Sequence, residues 1–280
     1  MATTKIGIIG LGLMGGSLSI SLQETSESFY FMGLDHNKMH CSQALELGLV
    51  NEIVYTLDEI SACDIIILTI PVDGIIAVSK QFKGLDPKCT IIDFGSTKEK
   101  ISDSIPEEIR ANFVTAHPMT GTEKFGPLAA ISDLYTDKTV VLCDLEKSGN
   151  HQKDVAKKLF WDMKMQLVFM DAKEHDRHAA FISHMPHALS YALANSVMKQ
   201  EAAQSIVTLA AGGFKDMSRI AKSSPNMWED IFRQNKNNLL EAIDSFQSEL
   251  KKCQKMVEDE EWETLNNWMI EANTLHDILE

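Results

Sequence analysis

Short apolar runs rich in β-branched residues alternate with stretches of helical periodicity over roughly the first 170 residues of the chain. The runs are Lys5–Ile9, Phe29–Leu34, Ile65–Ile70, Thr90–Asp93, Phe113–Ala116, Thr139–Leu142 and Gln166–Phe169. Most are apolar on both faces, the composition of parallel strands covered by helices on two sides. Such alternation predicts βαβ units and an α/β domain with a doubly wound, mostly parallel sheet. After Asp171 the strand pattern stops and the remainder reads as all-α. Pro186, Gly212–Gly213 and Ser223-Ser224-Pro225-Asn226 interrupt that part. Ser224 and Pro225 are N-terminal signals for a long helix starting near Asn226. Ile231, Leu239, Ile243, Phe246, Leu250 and Cys253 would form its apolar stripe. The pattern divides the chain into two expected domains, 1–171 and 172–280, without a long linker.

Composition narrows the function classes. No apolar run approaches the ~18 residues that a membrane helix needs. The chain enters a strand pattern at once, without a secretory signal, so a cytoplasmic protein with no membrane partner is expected. The formal net charge of −14 argues against nucleic acid as a partner. It also means that an anionic substrate must be met by a local cluster of cations. The cysteines (Cys41, Cys63, Cys89, Cys143 and Cys253) are odd in number and lack CxxC spacing, which favours buried thiols over disulfides or a zinc ribbon. His175, His178, His184 and His187 crowd one stretch, but without HExxH spacing or a neighbouring cysteine, so no metal is expected.

Gly10-Leu11-Gly12-Leu13-Met14-Gly15 fits GxGxxG, follows the Lys5–Ile9 strand and opens a helical stretch from Met14 to Leu22. That context makes it a Rossmann dinucleotide turn. Gly10 permits the turn, Gly12 lets a pyrophosphate approach the backbone, and Gly15 allows close helix–strand packing. Leu13 and Met14 sit at the helix N-terminus, where free N–H groups and the positive dipole end favour phosphate. Asp35, 20 residues after Gly15 and at the end of the second strand run, is placed to accept from the adenosine ribose hydroxyls. Its charge would repel a 2′-phosphate, which favours NAD over NADP, although His36 and Lys38 lie close by. Pro71, after the Ile65–Ile70 run, is assigned to the same cofactor site.

Four further constellations fall at strand ends or in the helical part: Asp93-Phe94-Gly95-Ser96-Thr97-Lys98; His117-Pro118-Met119-Thr120-Gly121-Thr122-Glu123; Ser183-His184-Met185-Pro186-His187; and Gly212-Gly213-Phe214-Lys215-Asp216-Met217-Ser218-Arg219-Ile220-Ala221. Together with GLGLMGGSL at the start, they closely resemble the prephenate dehydrogenase family, which includes arogenate dehydrogenases. The resemblance runs from Lys5 to about residue 250. It implies a Rossmann domain followed by a helical dimerisation domain, hence a homodimer. The chain is short for the fused chorismate mutase or regulatory domain of some relatives, so the stand-alone form is expected.

The implied reaction is oxidative decarboxylation of prephenate, or of arogenate, with NAD on the route to tyrosine. Hydride leaves C4 of the ring and the ring carboxylate leaves as carbon dioxide. His117 matches the family's catalytic histidine, which accepts a hydrogen bond from the 4-hydroxyl. Ser96 matches a serine between that hydroxyl and the nicotinamide, although a helix N-cap before Lys98 and Glu99 explains it as well. Arg219 matches the substrate arginine, whose planar fork suits a carboxylate. Lys215, Arg219 and Lys222 are spaced to share one side of a helical turn. His187 matches a second substrate-binding histidine. Thr122 and Glu123 resemble pocket-lining residues, and Trp228 is either a pocket wall or a core tryptophan. His184 reads as structural, bonded across the domain interface. Tyrosine is a candidate feedback inhibitor at the substrate pocket.

Two other readings compete. The β-hydroxyacid dehydrogenases share the GLGxMG-like turn but rely on a catalytic lysine and leave HPMTGTE and SHMPH unexplained. An NAD-sensing module would need no catalytic histidine and serine beside the nicotinamide.

Overall fold

The computed structural model describes residues 3–279. Eight strands form one sheet: β1 (Thr4–Ile9), β2 (Phe29–Leu34), β3 (Glu52–Ile53), β4 (Ile65–Leu68), β5 (Thr90–Asp93), β6 (Phe113–Pro118), β7 (Thr139–Cys143) and β8 (Gln166–Met170). Their order is β3-β2-β1-β4-β5-β6-β7-β8. The chain winds outward from β1 through β2 to β3 and returns to β4 at the other side of β1, so the doubly wound sheet has its switch point between β1 and β4. All seven strands read from the sequence are present. The two-residue β3 is below the length at which alternation can be read.

Strand direction follows the connections. β1 to β6 are mutually parallel, whereas β7 pairs antiparallel with β6, Thr115 opposite Cys143 and His117 opposite Val141. The β6–β7 connection carries only a short 3₁₀ turn, Pro127–Ala129. A parallel return requires a longer crossover, and the Asn150–Asp162 helix supplies one between β7 and β8, which are parallel.

The pleat sends alternate residues into two cores. Ile65 and Ile67 of β4 join one cluster with Ile6, Ile8, Val114 and Leu142; Ile66 and Leu68 join the other with Ile9, Ile91 and Phe113. With apolar partners on both faces, the central strands place most of their polar groups at their ends, Thr115 within β6 being a buried exception.

The helical part begins at Ala172 but does not break at Pro186. Ala172–Ala179, a π turn over Ala180–His184 and Met185–Met198 run on continuously. Proline lacks an N–H and its ring crowds the carbonyl four residues back, and the wider turn accommodates both defects. The long helix expected from Asn226 is two helices, Pro225–Gln234 and Lys236–Glu258. The break falls at Asn235, whose buried amide donates to the Asp176 carbonyl at 2.6 Å. A side chain that bonds backbone elsewhere disfavours helix continuation. The chain also separates here into two compact units, through Asn235 and from Lys236 onward. The change from sheet to helix at Asp171 lies inside the first. In the second, the Lys236–Glu258 and Trp262–Asn273 helices are joined by Trp268 Nε1 donating to Glu249 at 3.0 Å. Among the described residues, no helix is long and apolar enough to cross a membrane.

The glycine-rich turn docks the Leu13–Gln23 helix on β1 and β4. Gly10 has φ +101°, and Thr69 Oγ1 donates to its carbonyl at 2.6 Å. A methyl at Gly15 would sit 2.2 Å from the Gly10 carbonyl oxygen, whereas one at Gly12 would meet nothing within 4 Å. Gly15→Ala is therefore expected to destabilise the protein by about 1–3 kcal/mol, as overpacking does, and Gly12→Ala by less than about 1 kcal/mol. Urea unfolding of both variants measures this; equal losses would contradict the different crowding.

Candidate active site

Five sequence-assigned positions come together at the carboxyl ends of the parallel strands: the glycine turn after β1, Asp35 after β2, Pro71 after β4, Ser96 after β5 and His117 near the end of β6. This edge, at the switch point, is where such sheets bind nucleotides. Gly12 caps the Leu13–Gln23 helix without a side-chain hydrogen bond, so the first-turn N–H groups of Leu13 and Met14 have no intrahelical acceptor. Asp35 accepts from Leu11 N at 2.9 Å and Asn37 N at 2.8 Å. A carboxylate has about four lone-pair sites, so capacity remains for ribose hydroxyls. The His36 and His40 rings approach the Asp35 carboxylate, with Nδ1 at 3.4 and 3.5 Å. With open space over Gly12, these features fit a dinucleotide.

Beside this edge lies a polar cluster enclosed by hydrophobic layers. His117 is half-buried, and its Nδ1 is 2.8 Å from His175 Nε2. His175 Nδ1 lies 2.8 Å from Asp176 Oδ1. Burial, with His175, Lys98 and His184 nearby, drives the His117 pKa well below the ordinary histidine value. The imidazole is therefore neutral near pH 7. Lys98 and Asp93 are fully buried and ion-paired, and Lys98 Nζ also donates to the Ala116 carbonyl at 2.7 Å. Ser96 is half-buried and makes no hydrogen bond within the described residues, and the cap position of the next helix falls to Lys98. The N-cap reading of Ser96 is thus overturned: the amides of Lys98 and Glu99 are taken by the Asp176 carboxylate, at 2.7 and 3.0 Å.

A second group lies on the helical part. The His187 ring stacks on Trp228 with centroids 3.5 Å apart and an interplanar angle of 22°. His187 Nδ1 donates to the Ser183 carbonyl at 2.9 Å, which leaves Nε2 as an acceptor. Burial and then the charge of Arg219 lower its pKa, against the hydrogen bond to Ser183. Trp228 is buried, and its Nε1 has no partner among the described residues. Lys215 lies in the Gly212–Ser218 helix, while Arg219 and Lys222 bound a 3₁₀ turn, Arg219–Lys222, so the three do not share one regular helix. All three are exposed and lack an ion-pair partner among the described residues. Thr122 and Glu123 lie on an exposed segment, where Thr122 Oγ1 accepts from Lys124 N at 3.2 Å; neither bonds to the His117 cluster. His184, buried and held down to about 4 chiefly by burial, faces the Asn235 amide at 3.1 Å. Its bond stays within the helical part instead of crossing from it. Among the described residues, no three His, Cys, Asp or Glu side chains are grouped to hold a metal.

Residues 18–169 match the family profile described as "Prephenate dehydrogenase, nucleotide-binding domain", and residues 171–271 the profile "Prephenate dehydrogenase, dimerization domain". The chain belongs to the prephenate dehydrogenase family. A prephenate dehydrogenase of Bacillus subtilis is 30% identical over 97% of this chain and 75% of its own length. A cyclohexadienyl dehydrogenase of Zymomonas mobilis is 29% identical over 93% of this chain and 90% of its own. The crystal structure of an A. aeolicus prephenate dehydrogenase in complex with hydroxyphenyl propionate and NAD+ matches with a TM-score of 0.92 and 29% identity, covering 100% of this chain and 99% of that one.

For a prephenate dehydrogenase family member, the sequence marked His117 and Ser96 but missed what holds them. His175 registered only as one of four crowded histidines, and Asp176 not at all. They stand 58 and 78 residues from their partners His117 and Lys98 in sequence, and no local spacing reports such a contact. Lys98, which entered the sequence reading only as a neighbour of Ser96, is ion-paired with Asp93 inside the core. Burial pushes the Asp93 carboxyl up, against the pull of Lys98. Lys98→Met would leave that carboxyl without its counter-charge, and a loss of about 3–5 kcal/mol in urea unfolding is expected. Adding Asp93→Asn, which needs no cation, should restore most of it. A single variant as stable as the parent would show that the pair does not matter to the fold.

Proposed function

We propose that the chain catalyses oxidative decarboxylation of prephenate to 4-hydroxyphenylpyruvate and carbon dioxide, with NAD reduced to NADH, as a step towards tyrosine. The observation that carries this is the neutral, half-buried His117 at the sheet edge that also bears the dinucleotide turn. NAD, when bound, supplies the hydride acceptor. Gly10, Gly12, Leu13, Met14, Gly15, Pro71 and Ser96 would line its site, and Asp35 would select against a 2′-phosphate.

The chain's own residues account for the rest. His117 accepts a hydrogen bond from the ring hydroxyl and stabilises the positive charge that develops there. A neutral imidazole suits that role, because a protonated one has no lone pair to offer. Ser96 orients the same hydroxyl. Arg219 and Lys215 supply the local positive charge that a dianion needs against a net charge of −14. His187 and Trp228 form the wall, and the exposed Thr122 and Glu123 the rim. Residues 1–171 are read as the cofactor-binding part and 172–280 as the substrate-binding and dimerising part of a cytoplasmic homodimer. Exposed apolar side chains on the helices, Leu209 and Met217 among them, support that assembly.

The deciding assay is NADH formation from the purified protein with prephenate or arogenate, each with NAD and with NADP. Turnover of prephenate with NAD is expected. Faster turnover of arogenate would reassign the substrate, equal use of NADP would remove the role given to Asp35, and no turnover of either would defeat the proposal. His117→Asn should lower kcat by about 10²–10⁴-fold with little change in NAD affinity. In the parent, the acid limb of kcat/KM should fall below the ordinary histidine pKa of about 6.5, since protonation removes the acceptor. Arg219→Ala should raise the substrate KM by about 10–150-fold, equivalent to the roughly 1.5–3 kcal/mol of a hydrogen-bonded charge at an open site, and Arg219→Lys should recover only part. Steady-state kinetics with NAD saturating separates these effects.

A further inference from the structure

We infer that His175 and Asp176 are positioning residues that fix the His117 imidazole in its Nδ1–H tautomer, leaving Nε2 as the acceptor, and that the same Asp176 carboxylate anchors the segment carrying Ser96. The inference rests on the reading above that His117 and Ser96 meet the substrate hydroxyl.

The direction of the chain follows from its fixed end. A carboxylate only accepts, so His175 Nδ1, 2.8 Å from Asp176 Oδ1, carries the proton of that bond. With that proton as its only one, as the inference requires, His175 offers a lone pair at Nε2. It lies 2.8 Å from His117 Nδ1, which must be the donor. His117 is neutral, so with its proton on Nδ1 its Nε2 has no hydrogen, and Nε2 makes no hydrogen bond within the described residues. The other charged or titratable groups facing His117 are Lys98 and His184. Lys98 Nζ is engaged by Asp93 and the Ala116 carbonyl, and the Asn235 amide lies against His184 Nδ1. His175 and Asp176 are almost fully buried, so water does not compete for these bonds.

Asp176 does a second thing with the same two oxygens. It accepts from Lys98 N at 2.7 Å and Glu99 N at 3.0 Å, at the start of the helix Glu99–Ser104. Ser96 lies two residues before that anchor. One carboxylate thus holds the base and the serine in a common frame, although they come from different strand ends.

The test begins with ¹⁵N-resolved NMR of the imidazoles in the unaltered protein at neutral pH. His117 is expected to show a protonated Nδ1 and an unprotonated Nε2; the opposite pattern overturns the inference. Asp176→Asn replaces one of the two oxygens by an N–H donor and removes the charge, so the bonds from His175 Nδ1, Lys98 N and Glu99 N cannot all keep an acceptor and the His117 tautomer loses its fixed end. Its kcat should fall about 10²–10⁴-fold, the range for losing a positioned base, with the substrate KM changed by less than about threefold. His175→Gln keeps an acceptor near the Nε2 position and should retain about tenfold more kcat than His175→Leu. A His175→Leu enzyme with parental kcat, or one altered only in KM, overturns the inference. If these variants do not fold, the tautomer in the parent still decides. If the parent turns over neither prephenate nor arogenate, the proposed activity fails while the NMR result stands; turnover with the proton on His117 Nε2 fails this inference alone.

Discussion

A parallel sheet covered on both faces has no room along its length for an unpaired polar side chain. Here β1, β4, β5 and β6 are largely apolar above and below, and apart from Thr115, buried within β6, their interior polar side chains collect near the strand ends. Thr69, Asp93 and His117 all stand at or just past carboxyl ends, and each is bonded to a neighbouring element. The nucleotide turn, the buried Lys98–Asp93 pair and the histidine cluster are three outcomes of that one constraint. Charge that enters this region must be matched inside it, and Lys98 and Asp93 match each other.

The same enclosure sets the electrostatics. His117 and His184 are held neutral mainly by burial, so the interior beside the sheet edge carries imidazole rings without their charge. Both fold with pKa values below those of the unfolded chain, so they contribute stability that is complete above the unfolded pKa and declines as pH falls through the folded values. For His184 that window runs from about 6.5 down to about 4. Positive charge stands instead on the open surface of the helical part, at Lys215, Arg219 and Lys222.

Much of this was legible in the chain itself. Seven strands announced themselves as short apolar runs, and the glycine turn with Asp35 identified the nucleotide edge, because local sequence controls both pleat and turn. His117 and Ser96 were legible through motif. The helical part was harder to read. Pro186 looked like a break and was absorbed, whereas Asn235, inconspicuous in an amphipathic stripe, divided a helix through a tertiary hydrogen bond. His175, Asp176 and the burial of Lys98 depend on contacts between distant segments, and periodicity carries no information about those.

The π turn at Ala180–His184 fits one more residue into the helix than an unbroken α-helical path would hold. One residue of α-helix is a rotation of about 100°. The buried face that carries His175 and Ala179 therefore continues past the turn through His184 and Ser190, and Ile182 is left facing solvent. The insertion works as a phase adjuster between two halves of one rod. A relative lacking that single residue, however similar its motif letters, would present the second pair of histidines to a different quadrant, so an alignment gap at this point weighs more than several substitutions around it.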